Sequence, residues 1–280
     1  MNRVWMITGC SSGFGRMLAE RALTMGDSVV ATARSVQSLY DLGRNDERRI
    51  LRLPLDVRQP EHVTHAVNET IGKFGRIDIL VNNAGYGYFA TQEEGSLDEI
   101  RAMYETNVFG LIATTRAVLP HMRMQRHGTI INLSSIGGRI ATPRGGYYQS
   151  TKWAVEALSE ALHIETMSFG IRVIVIEPGA YETDFASRSA RQSEAERLPG
   201  SPYAELRARW MANAAAAIFP RRQDPVEVID TIVGAVERTA PFMRIPIGTD
   251  ATTIIARREE MGSTRFVEWI RNVYNSERPE

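Results

Sequence analysis

Six short runs of apolar and β-branched residues punctuate the chain: RVWMI (3–7), SVVATA (28–33), RILRLPL (49–55), IDILV (77–81), GTIINLS (128–134) and IRVIVIE (171–177). Between them lie longer segments whose apolar residues recur at helical spacing. Apolar runs that do not alternate with polar residues predict strands buried on both faces. The arrangement that supplies such strands is a parallel sheet with helices on each side, so the pattern predicts a doubly wound α/β fold. Right-handed crossovers and a reversal of strand order would open a crevice at the carboxyl ends of the strands, where the residues after each strand converge. From 184 to 224 the alternation stops in an Arg-, Ser- and Ala-rich stretch holding Tyr203, Trp210 and Phe219. An excursion of that length predicts a substrate-binding lid within one domain spanning 1–280.

Composition removes several classes. The 280 residues are 43% hydrophobic, enough for one well-buried core. The 33 basic and 33 acidic residues cancel, so no electrostatic footprint for nucleic acid or anionic lipid is expected. No apolar run is long enough to span a membrane, and Cys10 has no partner for a disulfide. With a strand-like start and no basic leader, the expected location is cytoplasmic. His62 and His65 stand three apart without a third ligand, so no metal site is expected. Only Lys73 and Lys152 among the basic residues are lysines, and the rest are arginines.

The first run ends in TGCSSGFG, Thr8 to Gly15, and passes directly into a helical segment. Gly9, Gly13 and Gly15 permit a tight turn and a close backbone approach. Ser11, Ser12 and the helix amino terminus offer hydroxyls, unpaired N–H groups and positive dipole to a pyrophosphate. An NAD-selective site would place a carboxylate after the second strand to bind the adenosine ribose; here Ala33 and Arg34 follow it. A guanidinium there suits a 2′-phosphate and predicts NADP(H), the alternative being a surface arginine. Asp56-Val57 and Asn82-Asn83-Ala84-Gly85, after the third and fourth strands, stand where an adenine edge and the middle of such a cofactor would lie. Either could equally be an ordinary turn.

The stretch RGGYYQSTKWAVEALSEAL presents two adjacent tyrosines. On a helix, Tyr148 and Lys152 stand about 40° apart, whereas Tyr147 lies about 140° from that lysine. An ammonium beside a phenol favours phenolate and would bring its proton transfer nearer neutrality. Thirteen residues before Tyr148, NLSSIGG delivers Ser134 and Ser135 to the same crevice edge. Asn107, within the apolar MYETNVFGLIATTRAVL, either bridges two helix segments or holds a water.

Taken together these residues resemble the classical short-chain dehydrogenase/reductase family from Met1 to about Thr183. The resemblance maps the family's glycine motif onto Thr8–Gly15, including Phe14. It likewise maps the adenine-side aspartate onto Asp56, the turn motif onto Asn82–Gly85 and the active-site asparagine onto Asn107. The serine falls on Ser135, the Tyr-x-x-x-Lys pair on Tyr148 and Lys152, and the post-strand turn on Pro178, Gly179 and Thr183. It implies a Rossmann-type sheet of about seven strands and hydride exchange between NADP(H), or less favourably NAD(H), and an alcohol or ketone. It also implies that Ser135 positions the carbonyl, Tyr148 transfers the proton, and Lys152 lowers the Tyr148 pKa and binds the nicotinamide ribose. Asn107 would hold a water linking Lys152 to solvent, and Pro178, Gly179 and Thr183 would hold the carboxamide end. A homodimer or homotetramer through the Asn107 and Tyr148 helices is a further implication. The stretch from Arg244, RIPIGTDATTIIARREE, resembles the 17β-hydroxysteroid-dehydrogenase-like branch. Tyr86, Tyr88, Phe89 and Tyr181, in the loops after Gly85 and Pro178, would suit an apolar or aromatic substrate or serve as packing. A protein of this fold that senses NADP(H) without turnover is the alternative, though it would not need Asn107, Ser135, Tyr148 and Lys152 together.

Overall fold

Strand β1 (Val4–Ile7) is buried at every residue, as a strand covered on both faces must be. It pairs in parallel with β2 (Ser28–Ala33) on one side and with β4 (Ile79–Asn82) on the other. The computed structural model, which describes residues 2–183, 189–197, 200–219, 223–240 and 242–276, continues this sheet outward. β3 (Ile50–Pro54) flanks β2, and β6 (Gly128–Leu133), β7 (Ile171–Pro178) and β9 (Phe242–Ile247) follow β4. The seven parallel strands stand in the order β3-β2-β1-β4-β6-β7-β9. The reversal of order lies at β1, so the crevice opens between the ends of β1 and β4.

The six sequence runs are all strands, with ends that agree within two residues. The seventh, β9, escaped them because it is half-buried along most of its length and contains Pro246. Both traits belong to an edge strand, where a missing N–H costs no ladder bond.

Helices pack on both faces. α1 (Gly13–Thr24) and α7 (Val226–Glu237) press Leu18, Ala22, Ile229 and Ile232 onto one face of the sheet. α2 (Pro60–Phe74), α4 (Gly110–Gln125) and α5 (Gly146–Thr166) cover the other with Val63, Val67, Val118, Met122 and Leu162. A third cluster joins Ile218 to α8 (Thr249–Met261) and α9 (Ser263–Asn275) around Phe266, Ile270 and Tyr274. No helix among the described residues is long and apolar enough to cross a membrane.

The expected lid is not devoid of regular structure. β8 (Ala190–Gln192) pairs with β5 (Gly87–Phe89), and α6 (Ala204–Ala217) follows, built from an Ala/Arg-rich sequence with no clear apolar stripe. Residues 184–188, 198–199 and 220–222 of that span lie outside the described residues. Buried ion pairs tie the excursion to the body: Arg144 holds Glu196 in a two-pronged grip at 2.6 and 3.0 Å, and Arg207 lies 3.6 Å from Glu94.

Candidate active site

At the end of β1 the chain turns through Gly9 in a left-handed conformation, φ 76°, which a side chain would strain. Thr8 ties this turn to the neighbouring strand end, its Oγ1 accepting from the N–H groups of Asn83 and Ala84 at 3.0 Å each. The Asn83 amide donates to the carbonyls of Thr8 at 2.8 Å and Gly9 at 3.0 Å, so Asn83 braces the glycine turn. A Cβ on Gly15 would collide with both the Asn83 amide and the Gly9 carbonyl. Gly13 also has positive φ, and a Cβ there would meet nothing, because it faces open space. The amino end of α1, where no side chain caps the free N–H groups, thus points into a cavity of about 550 Å³.

Ser11, Ser12, Gly13 and Phe14 line this cavity at one end, beside Arg34, Asp56 and Val57. Arg34 is exposed. Asp56 is gripped by Arg58 at 2.6 Å, and this guanidinium holds its carboxyl below the usual carboxylate range against the opposing pull of burial. Open backbone donors and a cradle too tight for a side chain fit a dinucleotide. Gly9, Ser11, Ser12, Gly13, Phe14 and Gly15 would hold its pyrophosphate.

The reacting end is built by β6, α5 and the segment before α4. After β6, Ser135 starts a short turn, its Oγ accepting the Gly137 N–H at 3.1 Å. Tyr148, in the first turn of α5, comes together with Ser135 at Gly137, where a Cβ would sit 3.6 Å from the Tyr148 ring and 3.5 Å from Ser135 Oγ. Burial pushes its phenol up to about 12, and the neighbouring Ser135 hydroxyl pulls the other way. The phenol thus stands above its ordinary value in the protein alone, burial outweighing the expected lowering by Lys152. Lys152 Nζ is anchored to the Leu133 carbonyl at 2.7 Å and stands 5.8 Å from the Tyr148 ring centre. Lys152 is itself buried, which pulls its ammonium down to about 8, while Glu156 acts to raise it.

Asn107 does not sit in a plain α-helix. Glu105–Phe109 form a wider π turn between α3 (Leu97–Tyr104) and α4, a distortion that often marks functional sites. The turn aims the Asn107 amide inward, where it donates to the Tyr86 carbonyl at 2.8 Å and to Thr151 Oγ1 at 3.1 Å. Its oxygen accepts the Tyr86 N–H at 3.0 Å. Both amide hydrogens are thus taken, and the side chain fills the bridging role, joining the loop after β4 to α5.

Ser135, Tyr148, Lys152, Asn83, Ala84, Gly85, Pro178, Gly179 and Thr183 all line the cavity with the residues above. Gly15 lies beneath the turn and Asn107 behind the wall. A side chain on Gly179 would collide with the Asp250 carboxylate, which accepts the Ala180 N–H at 2.7 Å and fixes this stretch after β7. Tyr147 turns away, donating to the Gln92 carbonyl at 2.7 Å and packing on Tyr88. Of the four loop aromatics, Tyr86, Phe89 and Tyr181 line the cavity. Tyr88 does not: alternation on β5 sends it into the core, where its hydroxyl accepts the Ser96 N–H at 2.9 Å.

Sequence reasoning missed Arg58, Arg191, Thr142 and Gln149 in the cavity wall. Arg58, two residues after Asp56, was legible as a short-range partner. Arg191 is placed by the β5–β8 pairing, for which the sequence carries no local signal. His62 and His65 are exposed, and no cluster of metal-ligating side chains occurs among the described residues. Cys10 is fully buried and its thiol is pushed up to about 12, leaving it inert.

A seven-stranded doubly wound sheet, a glycine turn under a helix amino terminus, and Ser, Tyr and Lys converging at the opposite end of one cavity define a nucleotide-dependent oxidoreductase. The chain belongs to the classical short-chain dehydrogenase/reductase family: the family model for short chain dehydrogenases matches residues 3–194. Among its relatives, oxidoreductase BOA17 of Botryotinia fuckeliana is 35% identical over 96% of this chain and 97% of its own length. A solved short-chain dehydrogenase from Streptomyces avermitilis has a TM-score of 0.84 at 35% identity, covering 96% of each chain. An alcohol dehydrogenase from Thermococcus sibiricus, solved with 5-hydroxy-NADP, has a TM-score of 0.73 at 26% identity, covering 88% of this chain and 96% of its own.

Proposed function

We propose that this protein is an NADP(H)-dependent oxidoreductase that interconverts a secondary alcohol and a ketone, with Tyr148 as the acid–base group. The observation that carries the proposal is the meeting of Ser135 and Tyr148 beside Gly137, with buried Lys152 behind them, in the cavity that Arg34 also lines. When bound, the cofactor supplies or accepts the hydride. In ketone reduction, Ser135 holds the carbonyl oxygen and the Tyr148 phenol passes its proton to that oxygen as it gains charge. A phenol held well above neutrality is protonated at pH 7 and ready to donate. The Lys152 ammonium stabilises the phenolate left behind, and Asn107 keeps the Tyr86 loop and α5 in register.

Arg34 at the ribose end favours NADP(H), as does the NADP-type ligand carried by the Thermococcus protein. Phe89, Ile136 and Phe219 in the wall favour a bulky apolar or aromatic ketone, in keeping with the 17β-hydroxysteroid-dehydrogenase-like look of the stretch from Arg244. Exposed apolar residues along α4 and α5, among them Trp153 and Ile164, favour a homodimer or homotetramer through these helices. Loss of NADPH absorbance, followed across steroid, aromatic, aliphatic and sugar-derived ketones, tests the reading. Turnover is expected on the apolar ketones. NADPH binding without oxidation of any of them would favour a sensor instead.

A further inference from the structure

Beneath Lys152 the structure holds two buried carboxyl groups that the proposed reaction does not use. Glu156 lies one helical turn further along α5, and Glu177, fully buried, lies on β7. Both approach Arg244 Nε, Glu156 at 2.8 Å and Glu177 at 3.8 Å, and Arg139 reaches Glu177 at 3.2 Å. Burial of this kind leaves atoms unsatisfied: Glu156 Oε1, Glu177 Oε2 and Ser134 Oγ have no hydrogen-bond partner among the described residues. Two of these three meet at Gly138, where a Cβ would sit 2.5 Å from Ser134 Oγ and 2.9 Å from Glu156 Oε1. Ser134 lines the active-site cavity, so Glu156 lies one residue behind its wall.

Glu156 is paired with Arg244 through Oε2, while Oε1 is left without a partner. Four residues earlier on the same helix stands Lys152, a buried ammonium anchored to the Leu133 carbonyl. We propose that Glu156 is a positioning residue of the candidate active site, supplying from one turn below the opposing charge that keeps the Lys152 ammonium ionised. The inference rests on the reading of Lys152 as part of the acid–base site. Charged groups of both signs pack around Glu156. On its own helix stand Lys152 and Glu160, the latter hydrogen-bonded to Arg244; His163 lies further along. Across the interface stand Glu177 of β7 and Arg244 of β9, with Arg139 joining Glu177 to Glu259 of α8. Burial and the Glu156 charge push the Glu177 carboxyl up.

The chain offers a direct readout, because Lys73 and Lys152 are its only lysines. In protein labelled with ¹³C at lysine Cε, the two side-chain signals titrate separately, and Lys73→Arg assigns them. The experiment compares the Lys152 midpoint in the parent, Glu156→Gln, Glu156→Asp and Glu177→Gln, without substrate or cofactor. The expected result is a midpoint about one pH unit lower in Glu156→Gln. Glu156→Asp, which keeps the charge, should restore most of the difference, and Glu177→Gln should move the midpoint less, because that carboxylate lies on β7, off the lysine's own helix, between Arg139 and Arg244. An unmoved midpoint in folded Glu156→Gln, or an equal fall in Glu177→Gln, would overturn the assignment. Should Glu156→Gln fail to fold, Glu156→Asp carries the test with a smaller fall expected, and no fall overturns it. Since the readout is a titration and not a rate, it fails separately from the proposed reaction.

Discussion

Replacing Glu196 by Gln tests how the 189–207 excursion is fastened to the candidate active site. The Arg144–Glu196 pair is two-pronged, and its side chains are only 10% and 2% exposed. Breaking a buried pair and leaving one charge behind costs about 3–5 kcal/mol. Gln keeps one acceptor for the guanidinium, worth about 1 kcal/mol, and the acidic neighbour Glu94 recovers part of the lost charge, so about 2 kcal/mol is the working figure. The retained oxygen has to serve two donors, because Glu196 Oε1 also accepts the Thr91 N–H at 3.2 Å. Arg144, four residues before Tyr148, is left in its left-handed conformation at φ 63°, a geometry costing about 1–2 kcal/mol by itself. The consequence is a local loosening rather than global unfolding. Ketone KM should rise about tenfold or more, since 1.4 kcal/mol is a decade, while NADPH affinity changes less than about twofold because α1 and its glycine turn are untouched. Hydrogen exchange should quicken in 87–94 and 189–196. Unchanged KM with unchanged exchange in those peptides would refute the reasoning.

Two further outcomes follow from the same geometry. Arg34→Ala should weaken NADPH about tenfold or more, the worth of one charged hydrogen bond, and leave NADH nearly unaffected; dissociation constants that move together would remove Arg34 from the 2′-phosphate site. The pH dependence has a defined sign: the Lys152 ammonium is present below its midpoint near 8 and is lost above it. Ketone reduction should therefore fall on the alkaline side. Reduction rates flat from about pH 6 to about pH 10 would contradict this.

The sheet was legible because its central strands are buried on both faces, and β1, β4 and β6 carry that burial as unbroken apolar runs. β9 was not, since an edge strand needs no such run and tolerates Pro246. The glycine turn was legible from spacing because its constraint is local: Gly9 and Gly15 are required by atoms a few ångströms away. Helical angle separated Tyr148 from Tyr147, and the structure sends Tyr147 to Gln92. What escaped depends on distant chain segments meeting. Arg191 reaches the cavity only through β8, Tyr88 is turned inward by a strand no periodicity marks, and the Asn107 amide is aimed by a π turn. The electrostatics escaped for a related reason. A four-residue spacing says that Lys152 is near Tyr148, but burial of both, which sets the direction of their shifts, is a property of the assembled fold.

The most direct test of the central claim is Tyr148→Phe, which removes one hydroxyl and keeps the ring that packs against Phe89. Turnover of a ketone the parent reduces should fall about a thousandfold, in the range general-acid catalysis supplies, with NADPH affinity held within about twofold. A phenylalanine variant that oxidises NADPH at the parent rate would contradict the assignment of Tyr148 as the acid–base group.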